Sequence, residues 1–325
     1  MHNTSPTGSS SRTVRLSASK RGIKLLGRLT FWWMSKTAFL LRPWSVRLIG
    51  NSLGSLFYRV SRRYRGVALR NIRAAFGDQK TEREIETIAK NVFRHFARGA
   101  VEFFYVLSAK RESVDRMIDV EGLENIDLAL KEGKGCIMIT AHYGNWELLA
   151  RKLVMLGYKG SVIARDSDDP GMTGMARRMR ESGGYKVFDK DQPLLGAFRA
   201  LRRNELLGIL PDQNELRGGI FVDFFSRPVS TATGPAIFAL RSGAPLVPVF
   251  APRMPDGRYK ATAYPRIEFT PSGDEEKDIH DLTVLINQAI EREVRRNPDQ
   301  WLWLHDRWKL TPKAPTQAEN PASTE

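Results

Sequence analysis

Residues 135–147 read GCIMITAHYGNWE, and this stretch joins a strand, a turn and the start of a helix. A short run of apolar side chains ends at His142, and a glycine and an asparagine follow it. Asn145 is a favourable N-cap for the helix that continues as ELLARKLVML. The stretch therefore predicts a buried strand that leads through a histidine-bearing turn into a helix, which is a basic unit of an α/β fold.

Glu147 follows His142 by five positions. Five positions turn an ideal helix through about 500°, so the two side chains cannot share one helical face. They can meet only where the histidine precedes the helix, and the flanking sequence satisfies that condition. We expect Glu147 to accept a hydrogen bond from one ring nitrogen, so that the neutral imidazole can act as a general base toward a hydroxyl group. A histidine satisfied within the core is the alternative.

The remaining pattern alternates between strands and helices after a helical N-terminal part. Helices are predicted at 23–41, 44–61, 82–107, 145–156, 171–183, 192–203, 234–242 and 277–296. Strands are predicted at 135–141, 160–165, 206–210, 220–225, 246–251 and 258–264. This order predicts an α/β fold with a mixed, mostly parallel sheet flanked by helices.

The positive charge is concentrated at the N-terminus. Residues 1–77 contain fifteen lysines and arginines and no acidic residue, whereas the rest of the chain has 36 basic and 36 acidic residues. Such a block favours an acidic partner, either nucleic acid or an anionic membrane surface. Tryptophans and leucines between the basic residues favour the membrane, and we expect no nucleic acid partner. A pair of core helices with one basic face is the alternative.

The chain is accordingly divided into four parts, a disordered basic tail at 1–22, a membrane-associating helical segment at 23–66, a catalytic domain at 67–310 and a disordered tail at 311–325. Arg28, Lys36, Arg42 and Arg47 interrupt the apolar stretches of the second part, so a shallow anchor is favoured over a spanning helix. Whether this segment spans the membrane or lies on it stays open.

Four further residues are candidates for substrate binding. Asp212 and Gln213 follow an apolar strand, and residues just beyond strand ends line the ligand crevice of open α/β sheets. Arg165 and Arg227 lie at strand-to-loop transitions and can hold a phosphate through paired N–H donors. Alternatively, Asp212 and Gln213 form a plain polar turn, and Arg165 and Arg227 are solvated surface residues.

Aromatic residues in the C-terminal half allow two interpretations. Phe224 and Phe225 can form the wall of an acyl channel or belong to the core. Residues 300–309, QWLWLHDRWK, contain three tryptophans that either cover the core or face a membrane, and we assign His305 a structural role.

Several catalytic classes are excluded by missing motifs. The sequence has no G-x-S-x-G elbow, no Walker loop, no H-E-x-x-H and no G-x-G-x-x-G after a strand. Cys136 is the single cysteine, so neither a disulfide framework nor a cysteine-based metal site is available. We expect an enzyme without a metal or a resident cofactor.

The ordered set of motifs resembles one family. Residues 25–310 contain RGVALRNIRAAFGD before TEREI, then H-x4-E, PDQ, VDFF and QWLWLHDRWK, in the order found in the late acyltransferases of lipid A biosynthesis. These lauroyl and myristoyl transferases belong to the lysophospholipid and glycerol-phosphate acyltransferase superfamily. Many relatives read FFG where this chain has Phe224-Phe225-Ser226, and many end in HRRWK where it has His305-Asp306-Arg307.

The resemblance implies an O-acyltransferase on the cytoplasmic face of the inner membrane. His142 would deprotonate the acceptor hydroxyl with Glu147 as its partner, and the acyl group would come from acyl carrier protein or acyl-CoA as a co-substrate. The acceptor would be a glycolipid, most directly a lipid A precursor. A lysophospholipid or phosphatidylinositol mannoside acceptor, a thioesterase and a non-catalytic membrane-binding protein are the alternatives.

Overall fold

A computed structural model describes residues 18–164, 169–189, 195–216, 218–310 and 312. The N-terminal part is helical and consists of α1 (Ala18–Thr37), a 3-10 turn (Ala38–Leu40), α2 (Pro43–Val60), α3 (Arg62–Phe76) and α4 (Glu82–Ser108). Helix α1 thus begins at Ala18, inside the stretch that was expected to be a disordered tail. Thr81 caps α4, because its side chain accepts from the Glu84 backbone and the Glu84 carboxylate accepts from the Thr81 N–H at 2.8 Å.

The α/β part follows in chain order. Its helices are α5 (Arg111–Asp115), α6 (Leu123–Lys131), α7 (Trp146–Met155), α8 (Pro170–Ser182), α9 (Leu195–Arg202), α10 (Gly234–Ser242) and α11 (Glu275–Arg296), with a 3-10 turn at Pro298–Gln300. Its strands are β1 (Ile118–Glu121), β2 (Cys136–Ile139), β3 (Gly160–Ala164), β4 (Lys186–Asp189), β5 (Leu206–Ile209), β6 (Ile220–Phe224), β7 (Arg227–Thr231), β8 (Leu246–Phe250) and β9 (Tyr259–Ala263).

Seven strands form one sheet in the order β1-β9-β8-β2-β5-β3-β4. Only the β8–β9 pair is antiparallel among these neighbours, so the predicted mixed, mostly parallel sheet is confirmed. The central strands β2, β5 and β8 are buried along their length, as expected for parallel strands with helices on both faces. Ile137 and Ile139 of β2 face one apolar cluster, and Cys136 and Met138 face the other.

The strand predicted at 220–225 does not join this sheet. It forms β6, which pairs with β7 as a separate antiparallel hairpin. Phe225 and Ser226 connect the two strands with φ of 53° and 54°, the left-handed conformation of a tight hairpin turn. Glycine adopts this conformation without steric cost, so the turn is strained at both Phe225 and Ser226.

The aromatic residues near the C-terminus belong to the core. Phe224 and Phe225 are buried, and their rings pack against Trp301, Trp303 and Trp308. Of the two interpretations of the phenylalanine pair, core packing is therefore the one that the structure shows.

Candidate active site

His142 and Asp212 meet at the carboxyl edge of the sheet. Each lies three residues beyond the end of its strand, and these strands, β2 and β5, are parallel neighbours. The His142 Nδ1 atom lies 2.8 Å from Asp212 Oδ1, and the His142 backbone N–H donates to Asp212 Oδ2 at 2.8 Å. An ionised carboxylate can only accept, so the ring carries a proton on Nδ1 and leaves Nε2 as an acceptor. The pair thus presents a basic nitrogen to the cavity beside it.

Asp212 is held by more than the histidine. The indole Nε1–H of Trp301 donates to Asp212 Oδ2 at 2.9 Å, and the carboxylate is almost fully buried. Burial alone would raise the pKa of Asp212, but the attraction of a positive His142 ring and the hydrogen bonds from His142 and Trp301 outweigh it and lower the pKa. The carboxylate is consequently ionised at neutral pH and suited to stabilise an imidazolium.

Glu147 does not make the hydrogen bond to His142 that the sequence suggested. Its carboxylate accepts from the Arg180 guanidinium, with Nε at 3.0 Å from Oε1, and from the Tyr185 hydroxyl at 2.6 Å. The cause is the rotation of α7 about its own axis. Trp146 is the helix residue that points toward His142, and its ring packs against the imidazole at 5.1 Å between centroids. The next residue is turned about 100° around the helix axis, so Glu147 faces α8 and β4. The expected contact was wrong, and Asp212 takes its place.

The turn between His142 and α7 rests on a buried polar network. The Glu102 carboxylate of α4 accepts from Arg253 at 2.6 and 2.9 Å, from the Tyr259 hydroxyl, and from Asn145 Nδ2 at 3.0 Å. Asn145 also caps α7 as predicted, since its Oδ1 accepts from the Leu148 N–H at 2.9 Å. The network therefore fixes the first turn of α7, and with it the position of His142.

Gly144 is held from both sides in the same turn. It has a φ of 60°, and a Cβ atom there would lie 2.0 Å from the carbonyl oxygen of Ala251. Its own carbonyl oxygen lies 3.0 Å from His95 Nε2. Burial and the nearby Arg253 lower the pKa of His95 to about 3, so its ring is neutral and donates through Nε2.

A cavity of about 1110 Å³ opens beside the His142–Asp212 pair. One part is apolar and runs over the sheet, where its lining includes Met138, Leu149, Val162 and Gly208. The exposed lining residues mark the mouth, which is cationic on balance: Arg62, Arg63, Arg70 and Lys309 outnumber the partly exposed acidic lining residues Glu215 and Asp306, and Asp306 pairs with Arg70 at 3.5 Å. Such a cavity fits an amphiphile with an apolar chain and an anionic head group.

The predicted binding residues are only partly brought together. Asp212 and Gln213 are at the site, and Gln213 Nε2 lies 3.5 Å from His142 Nε2. Arg227 is exposed at the start of β7, and in the described part of the chain it is not one of the residues that line the cavity. Arg165 lies outside the described residues.

The site also includes residues that the sequence did not single out. Arg180 and Tyr185 line the cavity and donate hydrogen bonds to Glu147. Trp301 orients Asp212 through its indole N–H. No local motif marks Arg180 or Tyr185. Trp301 lies in the QWLWLHDRWK motif, but the motif does not reveal that its indole reaches Asp212. Within the described ranges, no cluster of three or more His, Cys, Asp or Glu side chains is arranged to hold a metal ion.

Known proteins resemble this chain over most of its length. Residues 16–310 match the family described as bacterial lipid A biosynthesis acyltransferase. The chain is 27% identical over 268 residues to the lipid A biosynthesis lauroyltransferase of Escherichia coli (strain K12), covering 82% of this chain and 85% of the relative. It is 28% identical over 299 residues to a lipid A biosynthesis acyltransferase of Haemophilus influenzae, covering 88% and 92%. A phosphatidylinositol mannoside acyltransferase of Mycobacterium tuberculosis (strain H37Rv) is 27% identical over 218 residues, covering 64% and 66%.

Proposed function

The chain belongs to the bacterial lipid A biosynthesis acyltransferase family, and from this premise we propose that it transfers a fatty acyl chain to a hydroxyl group of a lipid A precursor. The observation that carries the proposal is the His142–Asp212 pair, which borders a cavity with an apolar arm and a cationic mouth. A general base beside an acyl-sized apolar space is what acyl transfer from a thioester to an alcohol requires.

The reaction is proposed to proceed by direct attack. His142 Nε2 takes the proton of the acceptor hydroxyl while the hydroxyl oxygen forms a bond to the thioester carbonyl carbon. The carbon–sulfur bond then breaks, and the thiolate of the carrier takes the proton from the imidazolium. Asp212 holds the ring with its proton on Nδ1 and stabilises the positive charge that forms during the step. No covalent enzyme intermediate is involved.

The remaining site residues receive distinct proposed roles. Gln213 lies beside Nε2 and is assigned to the substrate that approaches it. Glu147 is assigned a positioning role, because it joins α7 to Arg180 of α8 and to Tyr185 next to β4 at the edge of the cavity. The arginines of the mouth are proposed to contact phosphate groups of the glycolipid, and they also suit an acidic acyl carrier protein. Acyl-CoA is the alternative donor.

We further propose that α1 and α2 bind the membrane. Helix α2 packs on α4 through Gly50 and Gly54, where an added Cβ would lie 2.6 and 2.5 Å from the Cα atoms of Arg98 and Arg94. The glycine face of α2 is therefore buried, as are Phe31 and Val46. Most of the other large apolar side chains of the two helices are exposed, namely Leu25, Leu29, Trp32, Trp33, Trp44, Leu48, Ile49, Leu53, Leu56 and Val60. None of the helices in the described ranges is both long enough and apolar enough to cross a bilayer.

Basic residues flank this exposed apolar face. Lys36, Arg42, Arg47 and Arg59 are exposed on or next to the two helices. Apolar side chains that enter the lipid interface and cations that contact anionic head groups are the two contributions to binding of an interfacial helix. The proposed location is the cytoplasmic face of the inner membrane, and the exposed tryptophans and leucines disfavour a nucleic acid partner.

Replacing both Leu48 and Leu56 by glutamate is expected to release the protein from anionic liposomes in a flotation assay. Burial of each leucine in the interface contributes about 1.5–3 kcal/mol, and the added negative charge is repelled by the lipid. Leu128→Glu is the matched control, because Leu128 is 57% exposed, close to the 59% of Leu48, but lies on α6. Flotation of the double variant at the level of this control would contradict the membrane assignment, and tight, salt-sensitive binding of duplex DNA would favour a nucleic acid partner.

Deletion of the gene in its host is expected to produce a lipid A species that lacks one acyl chain, as measured by lipid mass spectrometry. Purified protein is expected to transfer the chain from an acyl carrier to that under-acylated lipid. Transfer to a mannosylated phosphoinositide instead would change the acceptor and keep the reaction. Release of free fatty acid at the same rate with and without acceptor would contradict transfer and indicate a thioesterase.

A further inference from the structure

The apolar arm of the cavity ends at one row of residues across the sheet. Met138 of β2, Gly208 of β5 and Val162 of β3 are direct neighbours in the parallel register. All three line the cavity. The residues two positions earlier on β2 and β5, Cys136 and Leu206, point to the same face and are buried in the core. In the described part of these strands, the row Met138–Gly208–Val162 is therefore the floor of the arm.

Glycine at the centre of this row is unusual for a buried parallel strand. Such strands are normally rich in large apolar side chains, and glycine within a strand marks a place where a ligand or a backbone approaches closely. Gly208 does not have a positive φ, so its conformation does not demand glycine. The nearest atoms to an added Cβ are Val162 Cγ1 at 3.3 Å, Ser161 O at 3.7 Å and Met138 Cε at 4.0 Å, all on the two flanking strands. A side chain here would project between Met138 and Val162 into the arm.

The depth of the row matches a bound hydrocarbon chain. Met138 precedes His142 by four residues, which corresponds to about 13 Å at the rise of an extended strand. A chain with its carbonyl carbon beside His142 Nε2 and its tail along β2 and β5 would place its terminal methylenes over Gly208. The surroundings of this row are apolar, since Leu149 of α7 also lines the cavity and belongs to the same buried cluster as Met138.

We propose that Gly208 determines the longest acyl chain that the enzyme transfers, because its missing side chain leaves the space that the end of the chain occupies between Met138 and Val162. This inference rests on the proposed acyl transfer and adds a residue that sets specificity for chain length. The ligand that the row contacts is the end of a hydrocarbon tail.

The test measures kcat/KM of the purified full-length protein with a series of saturated acyl chains on the same carrier. Gly208→Ala is expected to lower kcat/KM about tenfold or more for the longest chain that the wild type uses, and to leave the shorter chains unchanged, because one methylene in an apolar pocket changes selectivity by about 10–200-fold. Met138→Ala is expected to have the opposite effect and to admit longer chains, since it deepens the floor.

The matched control is Gly160→Ala. Its added Cβ also meets a neighbouring strand, with Leu206 Cβ at 3.4 Å, but Gly160 is not one of the described residues that line the cavity. The control is expected to keep the wild-type order of chain lengths. An equal loss at every length for Gly208→Ala would indicate a structural role and overturn the inference, as would an unchanged order in both Gly208→Ala and Met138→Ala.

Met138→Ala carries the test alone if the Gly208→Ala protein does not fold, as judged by its thermal unfolding midpoint. If the wild-type protein transfers no acyl chain from any donor, the proposed function itself is refuted, and this inference with it, before any variant is compared. The two failures are thus distinguishable.

Discussion

His142→Ala is expected to lower the rate of acyl transfer by about 10²–10⁴-fold, because the variant has no group to take the proton of the acceptor hydroxyl. The His142 side chain is partly exposed to the cavity, and its contacts are with Asp212, Gln213 and Trp146. Its removal therefore leaves the α1–α2 surface and the sheet intact. Single-turnover rates with saturating acyl donor and acceptor measure the effect on the chemical step.

The histidine control is His280→Ala, since His280 is exposed on α11 and its partner is the adjacent Asp281. This variant is expected to retain wild-type rates. Flotation with anionic liposomes is expected to be unchanged in both variants. The thermal unfolding midpoint is expected to be unchanged in His280→Ala and lower in His142→Ala, because the buried Asp212 carboxylate loses its hydrogen bond from the ring. Turnover of His142→Ala within a few-fold of the wild type would exclude His142 as the general base.

The strand, turn and helix around His142 follow from local chemistry, which is why they can be predicted. An apolar run, a glycine with positive φ and an asparagine N-cap each act within a few residues of the chain. The hairpin of β6 and β7 shows the limit of such patterns, because β6 has the composition of a sheet strand and its pairing partner is decided by the turn at Phe225-Ser226. Helix α3 was not predicted, since its five arginines obscure the apolar stripe that faces the core.

The site shows the same division between local and tertiary information. The rule that ligand-binding residues follow the ends of parallel strands placed both His142 and Asp212 at one edge. The partner of the ring was wrong because Glu147 is near in sequence, whereas Asp212 is 70 residues away and reaches the ring through the pairing of β2 with β5. Which carboxylate contacts the ring depends on how α7 is rotated about its axis and on the position of Trp301. Neither can be predicted from the H-x4-E spacing.

Comparison of Asp212→Asn with Glu147→Gln distinguishes the roles of these two carboxylates in catalysis. Asp212→Asn keeps the size of the side chain but lets an amide N–H face His142 Nδ1, which favours the tautomer with its proton on Nε2 and removes the basic nitrogen from the cavity. We expect a loss in kcat of about 10²–10⁴-fold with little change in KM. Glu147→Gln removes a charge that faces Arg180 and Tyr185, so a smaller loss is expected, together with a lower thermal unfolding midpoint.

Stability at different pH values tests the charge of Asp212 independently of catalysis. The pKa of Asp212 is lowered in the folded protein, so its ionised form stabilises the fold above the ordinary carboxyl pKa, and this contribution is lost as the pH falls through the lowered value. The difference in free energy of unfolding between wild type and Asp212→Asn is therefore expected to be largest near neutral pH and to shrink in acid.

The kinetic comparison of the two carboxylates has one contradicting outcome. A greater loss of kcat in Glu147→Gln than in Asp212→Asn would assign the partner role to Glu147, because only the carboxylate that orients the ring controls which nitrogen accepts the proton.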